Sequence, residues 1–278
     1  MDVFGKGKYP SQHVFKYPKA GEKNSIVSLH MYDVASKKNT LVKLGDYEYI
    51  PRIKWTNDAN ILSVQKMNRH QNDLKLYVIN TKKNESDLLL HETNKYYIDI
   101  TDDLTFLNDK KHFIWTSEKD GFNHIYLYDM KGKEKLALTR GSFDVTSFYG
   151  VDEVNELVYY QAAEKTPLQK HVYVVDFEGE NKRLITDNAG TNQAQWSSTF
   201  DYFVNTYSTA NQAPTYNVYD RNSNLVRSIE NNEKIKTLQE EYGTSQVEFF
   251  KFKTTIGFIP LMHIMRWKSR SLSVITAY

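Results

Sequence analysis

The chain has 278 residues and a mass of 32.5 kDa, room for one large domain or two small ones. Its 40% hydrophobic and 25% charged residues suit a packed globule, and 36 Lys/Arg against 34 Asp/Glu leave a net charge of +2, which gives no electrostatic case for a nucleic-acid or membrane-surface partner. Zero cysteines exclude a disulfide, a thiolate nucleophile and a Cys-based metal site, while 20 Tyr and 14 Phe tilt the composition toward sheet.

Residues 1–24 come first and differ in texture from the rest. Pro10 and Pro18 stand with Phe4, Tyr9, Phe15 and Tyr17 among lysines and glycines, a pattern that predicts an extended arm. Exposed aromatics such as Tyr9, Phe15 and Tyr17 are what an interface anchor uses. The opening MDVFGKGKYP has no apolar core of the secretory type.

From residue 25 onward a unit repeats. Short aromatic and aliphatic runs end in Asp or Asn at Asp33, Asn80, Asp129, Asp176 and Asp220, spaced 47, 49, 47 and 44 residues apart. After each comes a polar turn and a second, more charged run, such as KLALT to Thr139 or LVRSIE to Glu230. Before each of the last four lie two further runs around a turn that holds Asp58, Asp109, Asp152 or Asp201, where an Asx side chain can bond nearby backbone. Each unit therefore predicts four short antiparallel strands. The third run is apolar at consecutive positions, as in Ile125–Tyr128, which predicts a strand covered on both faces; the fourth mixes charges, as an outer strand should. Stacked four-stranded blades meet both conditions, so the fold class expected over residues 25–257 is all-β, a partial β-propeller. Residues 231–242 predict one short amphipathic helical segment carrying Ile235 and Leu238.

Few residues carry a chemical signal. None of the eight histidines has metal-ligand i,i+4 spacing with another, and neither a metal nor a cofactor is expected. His124 and His171 each stand five residues before the Asp that closes the third run, which marks them as structural repeat positions. Ser117–Gly121 departs from the Asp-box pattern of sialidase propellers and is expected to be a hairpin turn in which Gly121 takes positive φ. Arg69, within Asn68-Arg69-His70-Gln71-Asn72, either faces a cavity and contacts peptide or ties neighbouring loops with its planar fork, the second being the expected role. Tyr97 and Asp99 precede the next unit and are candidates for a cavity rim.

Several blocks resemble a known family. FKYPKAGEKN (15–24), YIPRIKW (49–55), NRHQN (68–72), FIWTSEKDGFNHIYLYD (113–129) and VEFFKFKT (247–254) are similar to the propeller of the dipeptidyl peptidase IV family of serine peptidases, in its bacterial, Bacteroidetes-like form. The resemblance spans residues 1–257 and implies about five blades of an eight-bladed propeller that stands before an α/β-hydrolase domain. It further implies removal of N-terminal X-Pro or X-Ala dipeptides, a homodimer joined partly through an arm like residues 1–24, and a location outside the cytoplasm. In the family, two adjacent glutamates hold the substrate ammonium and a Ser-Asp-His triad performs acyl transfer. Glu240-Glu241 lies in the wrong repeat for the first, and no Gly-x-Ser-x-Gly is present for the second. The expectation is a non-catalytic propeller portion that gates substrate access; the competing reading is a stand-alone propeller that binds another protein. Residues 258–278 depart from the family pattern, and a shift of reading frame or an assembly artefact near residue 258 is expected, checkable by translating the encoding DNA in the other two frames.

Overall fold

Short runs of β-branched and aromatic residues, cut every few positions by Asx- and Gly-bearing turns, favour pairing of each strand with its immediate successor. The structure is a computed structural model that describes residues 2, 3, 5, 7–16, 19–244, 246–251 and 261–265, and it shows that pairing throughout. Two compact units are present, Met1–Ile100 and Thr101–Tyr278.

In the first unit β1 (Asp2–Val3) pairs with β2 (Ser11–Gln12), and β3 (His30–Asp33) pairs with β4 (Lys38–Leu41). A four-stranded sheet follows, ordered β5 (Tyr49–Trp55), β6 (Ile61–Met67), β7 (Asp73–Asn80), β8 (Glu85–Thr93). The second unit holds three more such sheets. The first runs β9 (Thr105–Phe106), β10 (His112–Ser117), β11 (His124–Asp129), β12 (Glu134–Ala137). The next is β13 (Val145–Asp152), β14 (Leu157–Ala162), β15 (His171–Asp176), β16 (Arg183–Leu184), and the last β17 (Thr191–Trp196), β18 (Tyr202–Thr209), β19 (Gln212–Asp220), β20 (Leu225–Glu230). A helix α1 (Glu233–Glu241) and a paired β21 (Val247–Lys251) and β22 (Leu261–Met265) complete the described elements.

The recurring Asp and Asn explain why the hairpins repeat. At the end of each third strand the side chain accepts backbone N–H groups of the following turn: Asp33 from Ser36, Asn80 from Lys82 and Lys83, Asp129 from Lys131 and Lys133, Asp176 from Glu180, Asp220 from Asn222 and Asn224. Asp58, Asp109 and Asp152 do the same for the first hairpin of their sheets, bonding the amides of Asn60, of Lys111 and His112, and of Asn155. Asp201 differs: its carboxylate takes the hydroxyl of Thr199 and the guanidinium of Arg221.

Burial corrects one sequence expectation. The third strand is covered on both faces in β11 and β15, but β3, β7 and β19 are only partly so. The second strands β6, β10 and β14 are buried almost throughout, each inside its sheet with a ladder on both sides, whereas β18 is only partly buried. Ile114, Ile125 and Leu138 pack on Val158, Tyr160 and Tyr173 to join the sheets of β9–β12 and β13–β16. Tyr159, Val172 and Val174 join the latter to Ala194 and Phe203 of the β17–β20 sheet. The outer β20 is exposed throughout, as its charges predict. Helix α1 forms where expected, but Ile235 and Leu238 stay exposed at 42% and 47%. Gly190, at φ +147°, has only 2.5 Å between an added Cβ and the Ser208 carbonyl oxygen, so that turn accepts glycine alone.

His124 and His171 are latches inside the sheets, the structural role the repeat implies. Both are buried, and each bonds the end of the fourth run fifteen residues later: His124 Nδ1 lies 3.1 Å from Thr139 Oγ1, and His171 Nδ1 lies 2.9 Å from the Thr186 carbonyl. The same two threonines accept the N–H of Ile125 and of Val172. Burial pulls the His171 imidazole below its ordinary value of 6.5, against the Thr186 carbonyl, which holds it up. The folded state thus prefers neutral His171, so its contribution is complete above about pH 6.5 and is lost as pH falls from there toward the folded value. Denaturant midpoints measured from pH 8 to pH 5 should fall on acidification, with at most about 1.4 kcal/mol per pH unit from this proton. His171→Asn should flatten that part of the profile while lowering stability at pH 8; an unchanged slope in the variant would assign the dependence elsewhere.

Candidate functional site

The residues singled out at Asn68–Asn72 form a self-capped turn between β6 and β7. Asn68 Oδ1 accepts the amides of Asn72 and Asp73 at 3.1 and 3.2 Å, and Gln71 sits at φ 56°. This holds Arg69 at the turn tip, where Nη1 donates to Glu48 Oε1 at 3.1 Å and Nη2 to the Glu22 carbonyl at 2.9 Å. The guanidinium ties three segments of the first unit, the tethering role expected from its fork. Its ion pair is half exposed, so it sets geometry more than stability, contributing about 0–1 kcal/mol. Asn24 completes the network by donating to Glu48 Oε1 at 2.8 Å and to the Tyr49 hydroxyl at 2.6 Å.

Asn24, Glu48, Tyr49 and Gln71, with Pro51 and Met67, line a cavity of about 470 Å³. Tyr97 reaches the same place: its hydroxyl donates to Gln71 Oε1 at 3.0 Å, and the Ile98 amide bonds the Gln71 carbonyl. Asp99 is exposed next to Ile100, another lining residue. None of the three sequence candidates is part of this lining: Arg69 bonds the lining residue Glu48, Tyr97 bonds the lining residue Gln71, and Asp99 stands exposed one position before Ile100. Sequence reasoning missed Glu48 and Asn24. No motif marks either, although Asn24 closes the FKYPKAGEKN block.

The other candidates lie elsewhere. Tyr9 and Phe15 are exposed, at 87% and 57%, while Tyr17 lies outside the described residues. Residues 252–260 and 266–278 of the C-terminal segment also lie outside them. Ser117–Gly121 is the expected hairpin turn, with Gly121 at φ +93° and its amide on the Glu118 carbonyl. Within it Lys119 Nζ stands 3.9 Å from the Tyr126 ring centroid, donates to Tyr128 at 2.9 Å and pairs with Glu134, while the Tyr126 hydroxyl donates to Asp120. Among the described residues no group of three or more His, Asp or Glu is placed to hold a metal ion.

The sequence profile described as Dipeptidyl peptidase IV (DPP IV) N-terminal region matches residues 2–214. The chain belongs to this family. A solved structure of Porphyromonas gingivalis dipeptidyl peptidase 4 is 38% identical with a TM-score of 0.86, over 96% of this chain and 38% of its own. A solved structure from Bacteroides ovatus, 22% identical with a TM-score of 0.76 over 94% of this chain and 40% of its own, shares the fold. Dipeptidyl peptidase 4 of Trichophyton rubrum is 24% identical over 262 residues, covering 90% of this chain. The chain spans about a third of the length of that curated relative, 34%. With the four-stranded sheets, these matches establish the fold as a partial β-propeller of the dipeptidyl peptidase IV N-terminal kind.

Proposed function

We propose that this chain is the non-catalytic propeller portion of a serine exopeptidase that releases X-Pro and X-Ala dipeptides from peptide N-termini. The observation that carries the reading is the match to the dipeptidyl peptidase IV N-terminal region over residues 2–214, with 38% identity to a dipeptidyl peptidase 4 of known structure. In the longer parent the propeller abuts an α/β-hydrolase domain, admits short or extended peptides and excludes folded ones. The cavity lined by Asn24, Glu48, Tyr49 and Gln71, which Arg69 and Tyr97 reach through Glu48 and Gln71, meets peptide on its way in, since amides and a phenol bond a peptide backbone without selecting its side chains. The arm with Tyr9, Phe15 and Tyr17 supports pairing of two parents, and the parent works outside the cytoplasm, as the family resemblance implies.

Kinetics of the full-length parent test the gating part. Arg69→Ala frees the Glu48 and Glu22 segments, and KM for an extended peptide should rise about twofold to fivefold with kcat unchanged, the mark of lost uniform binding. An unchanged KM would remove the cavity from the substrate path. Sedimentation of the parent with Tyr9 and Phe15 both changed to Ala tests the arm: monomers are expected, and an intact dimer would refute it.

A further inference from the structure

Asp120–Gly121 is the one place in the sequence where Asp or Asn precedes Gly. In such a pair the Gly nitrogen, with no Cβ beside it to shield it, can attack the side-chain carboxyl carbon of the residue before it. Both residues are exposed, and a Cβ added at Gly121 would meet nothing within 4 Å, so the reacting atoms are open to water. Gly121 also supplies the positive φ of the turn between β10 and β11. The pair that closes this hairpin is therefore the pair most open to the reaction.

Two contacts oppose the reaction in the folded hairpin. The Gly121 amide donates to the Glu118 carbonyl at 2.8 Å, and the proton in that bond is the one the nitrogen must lose to attack. The Asp120 carboxylate accepts the Tyr126 hydroxyl at 2.8 Å, which ties it to β11. Burial, followed by the Asp120 carboxylate itself, pushes the Tyr126 phenol above its ordinary range, so it stays a donor at neutral pH. The Tyr126 ring is held in turn by the Lys119 ammonium, which pairs with Glu134 of β12. Attack on the Asp120 carboxyl therefore waits for a local opening of the turn.

We propose that Asp120–Gly121 is a self-modification site, at which aspartate isomerises to isoaspartate, and that the Tyr126 hydroxyl guards it. The step balances within the chain and water. The Gly121 nitrogen loses its proton and bonds the Asp120 side-chain carboxyl carbon, a carboxyl oxygen leaves as water, and a five-membered imide forms. Water then opens the imide. Cleavage of the bond just made restores aspartate; cleavage of the original peptide bond leaves the main chain running through the side-chain carboxyl. The product has the same mass, a free main-chain carboxylate and one more methylene in its backbone. That longer turn draws Lys119 away from Glu134 and loosens the outer strand β12. The proposal needs nothing of the peptidase reading.

The test incubates the full chain near neutral pH, folded and in urea, and reads isoaspartate at residue 120 by peptide mapping with fragmentation that separates the isomers. The unaltered chain is compared with Tyr126→Phe and with Lys119→Met, which takes the ammonium from the ring and leaves the phenol in place. The unaltered chain should isomerise at least about tenfold faster in urea than folded, since the reaction draws on the opened population. Tyr126→Phe should speed the folded chain about tenfold to a hundredfold, the value of one hydrogen bond to a charged acceptor, and leave the rate in urea unchanged. Lys119→Met should have the smaller effect. No isoaspartate in urea, or equal rates folded and unfolded, would overturn the site. A folded Tyr126→Phe no faster than the unaltered chain, or no faster than Lys119→Met, would overturn the guard.

Discussion

Replacing Tyr160 by alanine is expected to lower the free energy of unfolding by roughly 3–5 kcal/mol, whereas phenylalanine at the same place should leave it unchanged or raise it. Tyr160 is 0% exposed on β14 and packs into the core between the β9–β12 and β13–β16 sheets, with its ring stacked 5.6 Å from that of Tyr173. Removing the ring opens a cavity between two sheets whose backbones are fixed by their own ladders and cannot close over it. The hydroxyl works the other way. Its oxygen is buried without a hydrogen-bond partner, and burial, followed by the nearby Glu164 carboxylate, pushes the phenol above its ordinary range. A buried polar group without a partner costs about 1–3 kcal/mol, which phenylalanine removes. Urea midpoints of the three proteins at equal m-value measure both effects. Equal losses in the two variants would show that the hydroxyl holds the core together. Because domains are stable by only about 5–15 kcal/mol, the alanine protein should sit close to its unfolding threshold at 25 °C.

The hydrophobic period revealed the sheets because each strand is short and its turn is fixed by a local side chain, Asp129 or Asn80 for instance, which needs no distant partner to be read. The burial of β6, β10 and β14 was less visible, since a strand inside a sheet can carry polar residues whose partners lie on other segments. Gln65, Lys66 and Gln161 are all buried there. Lys66 is satisfied by the Leu44 carbonyl and the face of Tyr77, neither of which its sequence neighbours announce. Gln161 is held by Thr146 and the Asn192 carbonyl. At the candidate site the turn Asn68–Asn72 was readable from its asparagines. The meeting of Arg69 with Glu48 and Glu22 was not, because those segments are 21 and 47 residues away and join only after β5, β6 and β7 have paired. The exposure of Trp55 was likewise not readable, since in sequence it resembles Trp196, which is partly buried against Tyr159 and Phe203.

The purified chain is expected to release no dipeptide. Acyl transfer needs a nucleophile activated by an adjacent base, a group that orients the base, and donors for the oxyanion. The sequence has no cysteine and no Gly-x-Ser-x-Gly elbow. The buried His124 and His171 have both ring nitrogens engaged, His124 by Thr139 and the Gly141 carbonyl, His171 by the Thr186 carbonyl and Gln169. One arrangement does imitate a triad: His30 Nε2 lies 3.2 Å from Ser28 Oγ, and its Nδ1 lies 3.2 Å from Asn39 Oδ1. All three residues are exposed. In water the hydroxyl is not desolvated, and the donors that would stabilise a tetrahedral intermediate are not preorganised around it. Liberation of p-nitroaniline from Gly-Pro-p-nitroanilide by the purified 278-residue protein decides the matter: a rate equal to the buffer blank is expected, and release above the blank that a serine-directed inhibitor stops, or that Ser28→Ala abolishes, would contradict a non-catalytic propeller.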